Sequence, residues 1–334
     1  MVKKNGIALV FDIGGTKLES VVIDSDGNLL GKIEKVQVPF TEDKASIDDI
    51  FPIIDSKLES AEKRNGTIAG IGISVCGLID KESGDVVVAP NLHWYDVSLT
   101  KLLSERYQEP IFVATDTKLA ALGEATWGAG KGYDNFAWLT LSTGFGAFFF
   151  LDGKLFEGER GFAGALGHNT MDDVNGHPCG CGRFGCLETF ASGRALERNA
   201  QAAIDMGHKT KIKEIANGEE IRAEMVFEAE KMGDETAIKL INQLVHYAAI
   251  GIGQIINILD LNLIIMGGGL VKAGEPFMNR IRAAVKRHMF CQEAADEIEI
   301  ITESLPNPAL FGAASLVFMN MQNMSESNEG ISKG

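Results

Sequence analysis

One histidine and three cysteines crowd into a short stretch, His168-x10-Cys179-x-Cys181-x4-Cys186. One imidazole and three thiolates form a complete tetrahedral ligand set for zinc, the closed arrangement of structural sites. Gly180, Gly182 and Gly185 let the chain wrap an ion tightly. His177 is an alternative to His168 as the fourth ligand. Four protein ligands leave no position for water, so such an ion is expected to be structural. Cys76 and Cys291 stand apart, giving five cysteines in all. An odd, clustered set behind a start with no export signal reads as metal binding rather than a disulfide framework.

Two further segments can approach phosphate. Asp12-Ile13-Gly14-Gly15-Thr16-Lys17 follows the buried-strand run Ile7–Phe11. Its glycines expose backbone N–H groups, Thr16 and Lys17 add a hydroxyl and a charge, and Asp12 can hold magnesium through water. The plain alternative is an ordinary tight hairpin. Ser142-Thr143-Gly144-Phe145-Gly146 repeats the plan of strand, Gly/Thr loop and strand. Gly267-Gly268-Gly269 after Leu263–Met266 offers a third close approach, although taken alone it reads better as a simple strand-to-helix turn. Gly128-Ala129-Gly130-Lys131 is not a Walker loop, because Gly132 stands where Ser or Thr is needed. Asp116 follows the strand-like Ile111–Ala114, where α/β proteins place functional groups. It can take a proton from a hydroxyl or merely cap a helix beginning near Thr117.

These groups need a scaffold, and the chain supplies one. It has 334 residues, 45% hydrophobic and 23% charged, enough for two globular domains. Strand patterns at Ser20–Ile23, Gly31–Val38, Ile68–Val75 and Phe136–Leu141 alternate with helical patterns at Asp43–Arg64, Leu99–Tyr107, Leu119–Trp127 and Ile238–Leu259. That alternation defines an α/β fold. Pro308–Asn323 reads as a closing helix and residues 324–334 as a flexible tail. A net charge of −15 argues against a nucleic-acid partner. No stretch approaches a membrane span, so a cytoplasmic protein is expected.

Taken as an ordered set, these segments resemble the ROK family of sugar kinases and related repressors. The set also includes Pro90-Asn91-Leu92-His93-Trp94, Ala120-Ala121-Leu122-Gly123-Glu124 and Cys179-Gly180-Cys181-Gly182-Arg183-Phe184-Gly185-Cys186-Leu187-Glu188. The resemblance spans Asp12 to Gly312. It implies an actin-like ATPase (ribonuclease H-like) two-lobed fold with ATP and acceptor in the interdomain cleft. The small lobe would comprise 1–117 plus about 303–323 and the large lobe, with the zinc site, 118–302. It implies a homodimer. It also implies phosphorylation of a hexose or hexose-like hydroxyl by ATP with Mg2+, and Asp116 as general base. Asp12, Gly14, Gly15, Thr16, Lys17, Thr143, Gly144, Gly146, Gly268 and Gly269 would serve the nucleotide and its metal. Asn91, His168 and Glu188 would meet the acceptor, with His168 also on zinc beside Cys179, Cys181 and Cys186. Lys118, which departs from the family pattern, either pairs with a nearby carboxylate or meets the acceptor as well.

The departures are as informative. The family usually reads Asn-Asp-Ala-Asn around the base, and this chain has Thr115-Asp116-Thr117-Lys118. Ala165 stands where Glu is common, and Cys76 where Pro is usual. Loss of hydroxyl-binding groups alters substrate choice, so a cyclitol, keto-sugar or amino-sugar is the alternative acceptor. A non-catalytic sugar sensor is the other reading. Repressors of the family carry an N-terminal helix-turn-helix domain, for which a loop already beginning at Asp12 leaves no room.

Overall fold

The computed structural model describes residues 6–41, 44–64, 66–80 and 82–331, with side chains at all of these except 41 and 324–331. The chain divides into two compact units, Met1–Tyr133 with Ser304–Gly334, and Asp134–Glu303.

The first unit is built on five strands: β1 (Gly6–Ile13), β2 (Lys17–Asp24), β3 (Glu34–Gln37), β4 (Thr67–Val75) and β5 (Ile111–Thr115). Their order is β5-β4-β1-β2-β3. β1 and β2 form an antiparallel hairpin, and β4 and β5 extend the sheet in parallel. β1 is apolar almost throughout and buried, as a central strand must be. β3 is wholly exposed and carries Glu34 and Lys35, charges that blunt an open sheet edge. Helix α1 (Phe51–Glu62) covers one face. It starts later than its apolar periodicity predicts, because Pro52 sits in the first turn and Lys44–Ala45 is drawn into a strand pair. Asp43, the predicted start, lies outside the described residues.

Helix α2 (Asp116–Trp127) packs on the closing helix, Pro308–Ile331. A side chain on Gly123 would overlap the Pro308 carbonyl, and one on Gly312 would overlap the Leu119 carbonyl. The two helices therefore cross with backbones in contact, which keeps α2 in the first unit and puts the boundary after Tyr133 rather than after 117. The closing helix also runs on to Ile331 instead of ending at Asn323; residues 332–334 lie outside the described residues.

The second unit repeats the first sheet. Its strands are β6 (Phe136–Leu141), β7 (Phe145–Leu151), β8 (Lys154–Phe156), β9 (Leu263–Gly267) and β10 (Glu299–Thr302), in the order β8-β7-β6-β9-β10. Again a hairpin leads, and two parallel strands follow. Its core includes the long helix α4 (Glu235–Leu259), with α3 (Gly193–Asp205) beside it. Asp234 caps α4, which begins at Glu235, three residues before the predicted Ile238, and its carboxylate accepts from the Ala237 N–H at 2.8 Å. The internal echo in the sequence is thus a repeated strand order.

Candidate active site and metal centre

In the first unit the β1–β2 turn is closed by the Gly14 N–H donating to the Lys17 carbonyl at 2.9 Å. Thr16 and Lys17 are exposed. Gly15 lies so close to Asn91 that a Cβ there would stand 2.6 Å from the Asn91 Cβ. Asn91 is exposed in a short turn pinned by buried neighbours: Leu92, and Trp94, whose indole donates to the Ala45 carbonyl at 2.8 Å.

Asp12 sits near the end of β1. Its Oδ1 accepts from the Ser74 hydroxyl at 2.6 Å and its Oδ2 from the Asn307 amide at 3.0 Å. Burial raises its pKa, and those two donors oppose the rise. Asp116 is the first residue of α2, with Thr115 at the cap position, so Asp116 is not the cap residue its plain reading requires. Burial, and then the Asp12 charge, push Asp116 up to about 7; its hydrogen bond from the Thr117 N–H at 2.8 Å pulls the other way. Cys76 feels burial and both carboxylates and is pushed up to about 12, so it stays a thiol. The Thr115 and Thr117 hydroxyls bond each other at 3.0 Å, and Lys118 is half-buried and already engaged.

In the second unit Thr143 and Gly144 form the β6–β7 turn, closed by the Ser142 N–H on the Gly144 carbonyl at 3.0 Å. The Gly193 N–H at the start of α3 donates to the Ser142 carbonyl at 2.7 Å. Gly146 lies inside β7, paired with Thr140, not in the turn. Gly268 adopts φ 96°, and a Cβ there would come 2.7 Å from the Leu141 carbonyl oxygen. Only glycine suits that position, and it brings the triple-glycine turn against the end of β6. Glu188 completes the group, its Oε2 lying 3.0 Å from where a Cβ on Gly144 would be.

The ligand atoms of His168, Cys179, Cys181 and Cys186 lie within 4.8 Å of one another. The structure thus groups His168, and not His177, with the cysteines. Cys179 Sγ is 3.5 Å from His168 Nδ1, and Cys181 Sγ is 3.7 Å from Cys186 Sγ. Zn–S bonds of about 2.3 Å in a tetrahedron give S···S edges of about 3.75 Å, so the set fits zinc. Glu188 Oε1 is 3.0 Å from Cys179 Sγ and 3.6 Å from His168 Nδ1, tying the metal centre to the Gly144 turn. Against burial, the Arg183 backbone and guanidinium, with the neighbouring thiols, draw Cys181 down to about 6, toward the thiolate a metal requires.

Three residues missed in the sequence stand out: Ser74, Asn307 and Glu124. Asn307-Pro308 before an apolar run is a helix-start signal that marks Asn307, but nothing in it reveals the amide's target. Glu124 is fully buried and accepts from the Ala129, Ser304 and Leu305 N–H groups at 2.6, 2.9 and 2.9 Å.

Two α/β units, each with the same five-strand order and a Gly/Thr hairpin at its head, define an actin-like ATPase fold of two lobes. The chain belongs to the ROK family, whose model it matches over residues 8–319. It is 32% identical over 316 residues to a glucokinase of Streptomyces coelicolor, covering 93% of this chain and 97% of that one. It is also 28% identical over 328 residues to a xylose repressor of Caldicellulosiruptor bescii, covering 97% and 81%. A solved ROK family glucokinase from Streptomyces griseus, in complex with glucose and AMPPNP, has a TM-score of 0.77 at 30% identity, over 93% of this chain and 99% of that one. Among the described residues no helix is long and apolar enough to cross a membrane.

Proposed function

We propose that this protein transfers the γ-phosphoryl group of ATP to a hydroxyl of a hexose or hexose-like acceptor, with Asp116 as general base. The observation that carries the reading is the placement of Asp116: a half-buried carboxyl at a helix start, beside a second carboxylate, its pKa pushed up to about 7. A base poised near neutrality takes a hydroxyl proton most effectively. The glucokinase relatives support the same reaction class.

The other roles follow residue by residue. Gly14, Gly15, Thr16 and Lys17 in one unit, and Thr143, Gly144, Gly268 and Gly269 in the other, offer backbone N–H groups, hydroxyls and a cation to phosphate oxygens. Gly146, the second residue of β7, would serve the nucleotide from beside the β6–β7 turn. Asp12 would hold Mg2+ through water, and its hard oxygen donors fit that ion. The ion would supply charge neutralisation on the phosphates. Asn91, Lys118, His168 and Glu188 would contact the acceptor. With Nδ1 turned toward the cysteines, His168 has Nε2 left for a hydroxyl. Zinc would be structural, fixing His168 and its ring orientation. The same reading makes the protein a cytoplasmic homodimer.

A second acceptor class is favoured by one contact. The Thr115 and Thr117 hydroxyls pair with each other, so one of the two donors beside the base is engaged, which suits a cyclitol, keto-sugar or amino-sugar. An ATP-consumption screen across hexoses, N-acetylhexosamines and cyclitols tests both acceptor classes. No ATP consumption with any of these acceptors, from folded and zinc-loaded protein, would sink the kinase and favour the sugar sensor to which the repressor relatives point.

A further inference from the structure

We infer that Asn307 is a positioning residue for Asp12: its side-chain oxygen caps the closing helix, and the amide group so oriented spends its NH2 on two opposed carboxylates. Asn307 Oδ1 accepts from the Ala309 and Leu310 N–H groups at 3.1 and 3.3 Å. The helix start thereby fixes the plane of the amide. Its Nδ2 then donates to Asp12 Oδ2 at 3.0 Å and to Glu19 Oε2 at 2.8 Å.

The arrangement answers a local problem. Asp12 and Glu19 face each other directly across the β1–β2 ladder, and like charges so placed repel. Each carboxylate has a second partner: the Ser74 hydroxyl on Asp12, and Lys35 on Glu19 at 2.7 Å. Against burial, Lys35 and the Asn307 amide hold Glu19 below the usual carboxylate range. Among the described residues the amide is the one group that hydrogen-bonds both acids. It holds the Asp12 carboxyl in place and opposes the rise that burial imposes on it, with Glu19, Lys17, Lys35, Cys76 and Asp116 as the titratable groups around it. The inference rests on the role given to Asp12 in the proposed reaction.

Asn307→Ser and Asn307→Thr both keep a capping oxygen, both lose the NH2 donor and neither adds a charge. The carboxyl 13C resonance of Asp12 is followed against pH in each full-length variant, alongside thermal unfolding. Mn2+ binding in the presence of a non-hydrolysable ATP analogue is read by water-proton relaxation in the serine variant. We expect folded proteins in which the Asp12 midpoint rises by about one pH unit, a lost donor having favoured the charged form. Mn2+ should bind about tenfold more weakly to the serine variant. If the serine variant fails to fold, the threonine variant gives the same carboxyl readout. An unmoved Asp12 midpoint in a folded variant overturns the inference. The readouts need no acceptor, so they decide it even if no kinase activity is found, and turnover with an unmoved Asp12 would overturn this inference alone.

Discussion

The sulfurs of Cys181 and Cys186 stand 3.7 Å apart, well beyond the roughly 2.05 Å of a disulfide and matching a tetrahedral zinc–thiolate edge. Elemental analysis should therefore find one zinc per chain. Cys186→Ser removes a fully buried ligand and should lose most of that zinc and lower the melting temperature by several degrees. Cys291→Ser, exposed and outside the cluster, should change neither. Zinc retained by the Cys186 variant would remove the cluster as its ligand set.

Glu124 should matter to stability more than any surface acid. Its carboxylate gathers three backbone N–H groups and the Ser304 hydroxyl at 3.0 Å, joining the end of α2 to the entry of the closing helix. Glu124→Ala strands those donors and should cost about 3–5 kcal/mol in urea unfolding. Glu124→Gln keeps one acceptor oxygen and should cost less. Equal midpoints for wild type and the alanine variant would count against the clamp.

Residue types and spacing made the hairpins, the α/β alternation and the cysteine cluster legible, because each is a local pattern. Cys179, Cys181 and Cys186 needed only their own segment. His168 against His177 did not resolve, since which imidazole reaches the thiols depends on how the chain folds back. Asn-Pro ahead of an apolar run is a local start signal that could have marked Asn307 as a cap, yet its partners Asp12 and Glu19 lie at the far end of the sequence. The boundary at 117 misplaced α2 because the Gly123–Gly312 crossing joins helices distant in sequence. Gly146 looked like loop for the opposite reason: glycine is common in turns, and here strand pairing overrode that preference.

Lys118 should set acceptor choice without setting rate. It lies two residues after Asp116 in the first turn of α2, half-buried and engaged, in the place where the family pattern has an amide. Lys118→Asn should shift the ratio of kcat/KM between a hexose and its best competitor by roughly 10- to 100-fold, the scale of one or two hydrogen bonds. An unchanged acceptor profile would show that the lysine is purely structural.

Asp116 ties activity to stability with opposite signs. As a base it must be ionised, so kcat/KM should fall as pH drops through about 7. Asp116→Asn should lose about 100- to 10,000-fold in turnover while keeping nucleotide binding, measured by calorimetry. For folding the sign reverses. The native carboxyl holds its proton up to about 7, whereas an unfolded one releases it near the ordinary 3.8. Between those values the native state binds more protons, so stability falls as pH rises, and it stays lowered above the native value. Burial of the charged base is thus a cost borne at working pH. Asp116→Asn removes that cost, so the variant should melt higher than wild type at pH 8, and its advantage should fade toward pH 4. A constant difference in melting temperature across that range would show that Asp116 titrates normally, and the proposed base would lose its physical ground.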